Sequence, residues 1–498
     1  MKKPEIIPDE HTVRREKLER LRRRGLEPFP SSCKPTHSLG AIASNFDQLV
    51  VNEDVITITG RVLAIRAHGG STFLNISDGT GRLQAYGKRD GLGDDAYNLF
   101  NDLDVGDFLE LTGKLFTTKV GERTLLISTP PRFLAKSLRP LPEKWHGLTD
   151  TELRYRKRYL DLLVNEDVRR GAVQRANLVR AIRHWLDDRG YLEVETPALQ
   201  TIPGGATARP FATHLNALDL DLYLRVAPEL YLKRLLVAGF TKVYEVARCF
   251  RNEGIDHSHN PEFTQIELYE AYANYRDYMR LVEQLFAAIV PQITGSAVVN
   301  YDGRTVDLTP PYEVINWTAA LNSALKTETL NLSDDELAAI SRKHGVDITA
   351  ADKRGAILDA AYKKLVRPNF ERPTFLIDHP TCLSPLAKPK ADDAQTVERF
   401  QLLLPGGIEL MNGFSELNDP DIQRERFLEQ EALREAGDEE AQRIDEDYLE
   451  ALEHGMPPAA GLGIGIDRLA AVLAGCHSLR EIILFPTLRP TPRMDRPE

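Results

Sequence analysis

The sequence predicts an α+β chain: a small five-stranded β-barrel near the N-terminus, then a larger domain mixing helices with isolated strands. Three observations carry this. Five short β-runs separated by turn signals fill residues 54–134, the spacing of a small barrel. From about residue 150 helical stretches alternate with single strands rather than regular βαβ units. No internal repeat is evident. At roughly 100–200 residues per domain, 498 residues suggest two to four domains. With 42% hydrophobic and 28% charged residues, the composition is that of an ordinary globular protein.

Residues 1–50 read as a basic helical arm and a polar linker. His11 to Arg24 is strongly basic, with Val13, Leu18 and Leu21 near one helical face and Gly25 at the helix end. Such a helix either holds phosphates by counterion release or packs its leucines against a neighbour. The net charge of −11 speaks weakly against nucleic-acid binding by the chain as a whole.

Residues 51–137 hold the barrel, built from VITITGRVLAI, STFLNIS, RLQAYG, FLELTGKLF and TLLIS, with a turn at DGTG (78–81). This pattern matches an OB-fold. Alternation puts Leu74, Ile76, Leu83 and Ala85 on one face and Phe73, Gln84 and Tyr86 on the other. An outward aromatic beside an amide suits base stacking and edge reading of single-stranded RNA. A proline-containing linker, 138–152, leads to the larger domain, 153–498. There a helix with Leu178, Ile182, Trp185 and Leu186 stops at Gly190, and the strand-like YLEVETP follows. Residues 290–370, rich in helix formers, read as a helical insertion.

Cys33, Cys249, Cys382 and Cys476 form no CxxC pair, which excludes a zinc ribbon and a disulfide framework. No apolar leader and no run of transmembrane length is visible, so the expectation is a cytoplasmic chain without membrane contact.

The usual nucleotide loops are missing. There is no GxxxxGK[ST], and the glycines at 461, 463 and 465 fail the dinucleotide pattern in either register. Three other segments carry chemistry. In 242–272, a strand ends at Arg251, a polar loop follows, and a second strand groups Phe263, Gln265, Glu267 and Tyr269 on one face, with Ile266 and Leu268 on the other. Burying Glu267 there unpaired would be costly, so the face is either a site or exposed to solvent. In 408–419, alternation groups Asn412, Phe414 and Glu416. Glu409 falls on the opposite face unless Gly413 marks a bulge. The third segment, GLGIGIDR (461–468), read alone, is a glycine-rich turn before an apolar helix.

Together, FRNEG with HNPEFT and GIGIDR resemble signature motifs of class II aminoacyl-tRNA synthetases. The helix and strand ending at Pro197 resemble a third, which forms the dimer interface in that class. GGATARPF (204–211), APELYLKR (227–234), NGFSELND (412–419) and the linker LRPLPEKWHGL (138–148) narrow the likeness to the lysyl-tRNA synthetase family over nearly the whole chain. The resemblance implies an antiparallel sheet flanked by helices. It implies an ATP-dependent ligase that forms lysyl-adenylate and then charges tRNA(Lys), a homodimer, and Mg²⁺ as cofactor.

It also implies roles. Arg251 holds the ATP α-phosphate and the substrate carboxylate. Phe263 stacks on adenine, Glu253, His259 and Asn260 cover the nucleotide, and Arg468 clamps the far phosphate. Glu416 and Tyr269 take the side-chain ammonium of lysine, and Gly205 and Glu229 the α-amino end, with Glu267, Asn412 and Phe414 nearby. Arg66, Phe73 and Gln84 read the anticodon. Glu229 has a second reading, as a complement to a helix N-terminus after Pro228.

One position departs from the family pattern. Where a magnesium-binding Glu is expected, the chain reads Arg399-Phe400-Gln401, followed by an extra residue near Pro405, so Glu409 is left as the carboxylate for the metal. The rivals are an aspartyl- or asparaginyl-tRNA synthetase, whose pocket should offer a cation to the side chain, and a non-catalytic RNA-binding paralogue. A third is a ligase that lysylates protein and needs no anticodon reader.

Overall fold

A computed structural model describes residues 9–142, 148–349 and 352–490. The chain divides into two compact units, Met1–Gly147 and Leu148–Glu498. Residues 143–147 of the expected linker lie outside the described residues.

In the first unit, α1 (Glu10–Arg23) and α2 (Leu39–Val51) precede a barrel of β1 (Val55–His68), β2 (Ser71–Ser77), β3 (Arg82–Lys88), β4 (Phe108–Thr117) and β5 (Arg123–Ile127). The order β1-β2-β3-β5-β4 closes by β1 pairing with β4, and β6 (Arg132–Ala135) extends β4. The alternation works as expected: Leu74, Ile76, Leu83 and Ala85 fill the core. Leu39, Ile42, Phe46 and Leu49 of α2 join it, with Ser38 capping that helix by accepting from the Ala41 amide at 3.2 Å.

The basic arm takes the packing alternative. Leu18 and Leu21 are buried. Arg14 donates to the Val105 carbonyl at 3.0 Å. Lys17 pairs with Asp104 at 2.6 Å and Arg20 with Asp102 at 2.9 Å. Those partners lie just before β4, far away in sequence, so the charge run gave no sign of them.

In the second unit, four helices matter: α3 (Glu166–Asp187), α4 (Glu229–Val237), α5 (Tyr275–Thr294) and α6 (Ile466–Ala474). The main sheet has eight strands: β7 (Leu192–Glu193), β8 (Lys242–Phe250), β9 (Glu262–Ala271), β10 (Glu313–Asn316), β11 (Thr374–Ile377), β12 (Arg399–Leu404), β13 (Ile408–Ser415) and β14 (Ala459–Gly465). Their spatial order is β10-β11-β12-β13-β14-β9-β8-β7. Only the outermost pairs, β10 with β11 and β7 with β8, run parallel; the rest are antiparallel. On one face Ile266, Leu268, Leu462 and Ile464 pack with Leu178 and Ile182 of α3, Phe286 of α5 and Leu469 of α6. The other face carries the site.

Two readings need correction. GLGIGIDR is not a turn. Its glycines lie in β14, a central strand between β13 and β9. Leu462 and Ile464 supply the core side, and glycine on the alternate positions leaves the other face open. The 290–370 stretch is not simply helical. Helices Trp317–Leu325, Asp334–Lys343 and Arg354–Leu365 share a core. A hairpin (Val298–Tyr301 with Arg304–Asp307) precedes them, and β10 joins the main sheet.

Candidate active site

The open face of the sheet floors a cavity of about 790 Å³. The β9 alternation brings Phe263, Gln265, Glu267 and Tyr269 to its wall. This face is not solvent-exposed: Gln265, Glu267 and Tyr269 are all buried. Tyr269 Oη donates to Glu267 Oε2 at 3.1 Å, and Gln265 Nε2 donates to Glu267 Oε1. Desolvation, reinforced by the nearby Glu229 carboxylate, holds the Glu267 pKa well above the ordinary value.

Glu409 also reaches the cavity, against strict alternation. The cause is a bulge, sited at Leu410 rather than Gly413. Met411 pairs with Leu402, but the next pair is Glu409 with Leu403. Leu410 and Met411 are both buried in the core. The extra residue turns Glu409 to the side of Asn412 and Phe414, which also line the cavity.

The loop after β8 supplies Arg251, Glu253, His259 and Asn260, all at the cavity wall. The Arg251 guanidinium lies 5.0 Å from the centre of the Phe263 ring, and among the described residues its buried Nε has no partner. Across the cavity Arg468 leads α6, donating to the Glu409 carbonyl at 3.3 Å, with its Nη2 3.1 Å from His259 Nε2. Asp467, beside it, accepts from Arg175 of α3 at 2.7 Å and from the Thr264 amide at 2.8 Å. That single carboxylate ties three segments together.

One end of the cavity is acidic and buried. Glu229 is buried, so it does more than complement a helix terminus. Its Oε1 accepts from Lys233 Nζ at 2.6 Å. Gly205, at φ +86°, sits where a Cβ would press on the Glu229 Cβ at 2.8 Å. Glu416, fully buried, lies beneath Tyr269 and Gly461, with its Oε2 2.5 Å from the same Lys233 Nζ. Burial pushes its pKa up to about 8 against the opposing pull of Lys233.

Sequence reasoning missed two residues. Arg399, just upstream of the noted Gln401, donates to Asn412 Oδ1 at 2.8 Å and to Ser384 Oγ at 2.9 Å, fixing Asn412. Lys233 lies inside the quoted APELYLKR. A lysine four residues after a glutamate reads as an ordinary surface helix pair, and only its flanking leucines hinted at burial. Gln401 itself is engaged by His379, at 3.0 Å.

On the barrel the three nucleic-acid candidates come together. Phe73 pairs in register with Arg66 and stacks on Tyr86 at 4.5 Å and 17°. Arg66 donates to Gln84 Oε1 at 3.3 Å, and Gln84 Nε2 donates to Thr124 Oγ1 at 2.9 Å. Gln84 is therefore buried and partnered, while Phe73 keeps part of its ring accessible.

An antiparallel sheet with flanking helices, two arginines lining its open side and a separate small barrel define a class II tRNA synthetase. Residues 150–489 match the family model for tRNA synthetases class II (D, K and N), and residues 56–129 that for the OB-fold nucleic acid binding domain. Curated relatives include the lysine–tRNA ligase of Pelotomaculum thermopropionicum, 49% identical over 96% of this chain and 94% of that protein. That of Moorella thermoacetica is 50% identical over 98% and 99% respectively, and that of Roseiflexus castenholzii 48% over 95% and 97%. The chain belongs to the lysine–tRNA ligase family.

Proposed function

We infer that the chain activates lysine with ATP, releasing pyrophosphate, and transfers the lysyl group to the 3′ end of tRNA(Lys). The observation that carries this reading is the juxtaposition of Glu229, Glu267 and Tyr269 at the cavity lining, with Glu416 fully buried against Tyr269 and Gly461, and a wall formed by Arg251, Phe263 and Arg468. Carboxylates in a dry pocket select a cationic side chain. Aspartate would need a cation instead; Lys233 is already shared by two carboxylates, and Arg399 is engaged by Asn412 and Ser384.

In the proposed reaction the lysine carboxylate attacks the α-phosphate in line. Arg251 orients the carboxylate and stabilises charge on the phosphoryl oxygens. Phe263 stacks on adenine, and Arg468 with His259 holds the outer phosphates. Alignment and electrostatics suffice, because the nucleophile is already ionised.

Mg²⁺ fits this site in one form. Among the described residues no group of three His, Cys, Asp or Glu could hold a metal. Glu409 faces the cavity and Gln401 is taken by His379, so one carboxylate would share the ion with ATP phosphates, which is a usual magnesium arrangement. The ion would neutralise phosphate charge. The barrel is proposed to read the anticodon through Phe73, Gln84 and Arg66.

A homodimer is supported by exposed Leu199, Leu218 and Leu220 in and beside the small three-stranded sheet following β7. A cytoplasmic location is also proposed; among the described residues no helix is long and apolar enough to cross a membrane.

The test is Glu416→Gln. It should raise KM for lysine in ATP–pyrophosphate exchange and leave KM for ATP within about threefold, since only the ammonium loses an anion, worth about 1.5–3 kcal/mol. An unchanged kcat/KM for lysine refutes the assignment.

A further inference from the structure

Lys233 is fully buried, and it contacts two carboxylates assigned to the substrate in an enzyme read as choosing lysine. Its Nζ is 2.6 Å from Glu229 Oε1 and 2.5 Å from Glu416 Oε2, and 5.3 Å from the centre of the Phe414 ring. Glu229 shares its helix at one turn's separation. Glu416 comes from the end of β13. Tyr448, from the helix Glu446–Glu453, is the other titratable group facing the ammonium. Beyond these, Arg399 of β12 faces Glu229, and Glu267 and Tyr269 of β9 complete the charged surroundings.

We propose that Lys233 is a positioning residue for lysine selectivity: an internal ammonium that pulls Glu229 and Glu416 toward their ionised forms and fixes the two carboxylates around itself. The surroundings support this. Glu229, Glu267 and Glu416 are all buried, and the cations acting on them are Lys233, Arg399 and Arg251. Lysine would bring two further ammonium groups, with its carboxylate at Arg251. Without Lys233 the carboxylates would repel one another in a medium that already disfavours their charged forms, and one would take up a proton. Its own pKa is raised by Glu229 and Glu416 against the opposing effect of desolvation, so it stays charged.

The two Glu416 oxygens face different groups. Oε2 lies 2.5 Å from the Lys233 ammonium, while Oε1 lies over Gly461 beside the Tyr269 ring, and neither has a hydrogen-bond partner among the described residues.

This proposal rests on Glu229 and Glu416 belonging to the amino-acid pocket. The experiment measures ATP–pyrophosphate exchange by the full chain across pH 6.5–9 for Lys233→Met, Glu416→Gln and the double variant. Lys233→Met should raise KM for lysine on the order of 100-fold at pH 7, with KM for ATP nearly unchanged. That defect should shrink about tenfold per pH unit as Glu416 recovers its charge. Glu416→Gln should raise KM without this pH dependence, and the loss in the double variant should fall short of the sum of the two single losses, because Lys233 acts in part through Glu416. Equal losses for lysine and ATP with a flat pH profile, or additive losses in the double variant, overturn the proposal. If Lys233→Met does not fold, the double variant, which leaves only Glu229 without its ammonium, is compared with Glu416→Gln alone, and an excess loss that is flat across pH overturns the proposal. A KM for lysine unmoved by Glu416→Gln sinks the pocket assignment itself, whereas a raised value there with a normal Lys233→Met sinks only the role of Lys233.

Discussion

Gly461→Ala probes the lysine pocket through a single methyl group. Gly461 pairs with Tyr269 on one side and Phe414 on the other, at the centre of the sheet. A Cβ there would collide with Glu416 Oε1 and two carbons of the Tyr269 ring. Both are the groups assigned to the lysine ammonium, and both are buried, so neither can swing away freely. Forcing a methyl into a packed site costs about 1–3 kcal/mol of stability. Displacing a charge-assisted contact to the ammonium costs about 1.5–3 kcal/mol more in binding. At about 1.36 kcal/mol per factor of ten, kcat/KM for lysine should fall roughly 10–150-fold. Two residues along the same face, a Cβ on Gly463 would meet nothing nearer than 3.8 Å. Gly463→Ala should therefore leave the melting temperature of the free protein unchanged, while Gly461→Ala lowers it. Pyrophosphate exchange and calorimetry read both quantities. A Gly461→Ala protein with unaltered melting temperature and unaltered kcat/KM for lysine would refute the placement of Glu416 and Tyr269.

Two further predictions follow from other parts of the molecule. Phe73→Ala should slow tRNA charging while sparing lysine-dependent pyrophosphate exchange, with a loss of about 1–3 kcal/mol in tRNA binding if the ring stacks on a base; an equal fall in exchange would make Phe73 a folding residue. Asp467→Asn should destabilise the second unit by about 1.5–3 kcal/mol, because it weakens the charge-assisted bonds from the part-buried Arg175, and calorimetry should show a melting temperature lower by several degrees. An unchanged transition would contradict the tie between α3, β9 and α6.

Much of this was legible in the sequence wherever period-two alternation holds without interruption. The face bearing Gln265, Glu267 and Tyr269 and the barrel core of Leu74, Ile76 and Ala85 needed only residue order. Glu409 was not legible, because the bulge at Leu410 looks in sequence like two ordinary apolar residues of a strand. The β14 glycines were misread as a turn for a related reason. Glycine weakens a strand unless other side chains need its space, and the groups that need it, Glu416 and Tyr269, are 45 and 192 residues or more away in the chain. Lys233 and the partners of the basic arm were hidden because burial of a charge depends on tertiary partners, not on local pattern.

The most direct test of the lysine assignment is ATP–pyrophosphate exchange run separately with each of the standard amino acids. A buried slot lined by carboxylates predicts exchange with lysine and background rates with aspartate and asparagine. Exchange driven by aspartate or asparagine, or indifference to lysine, would contradict it.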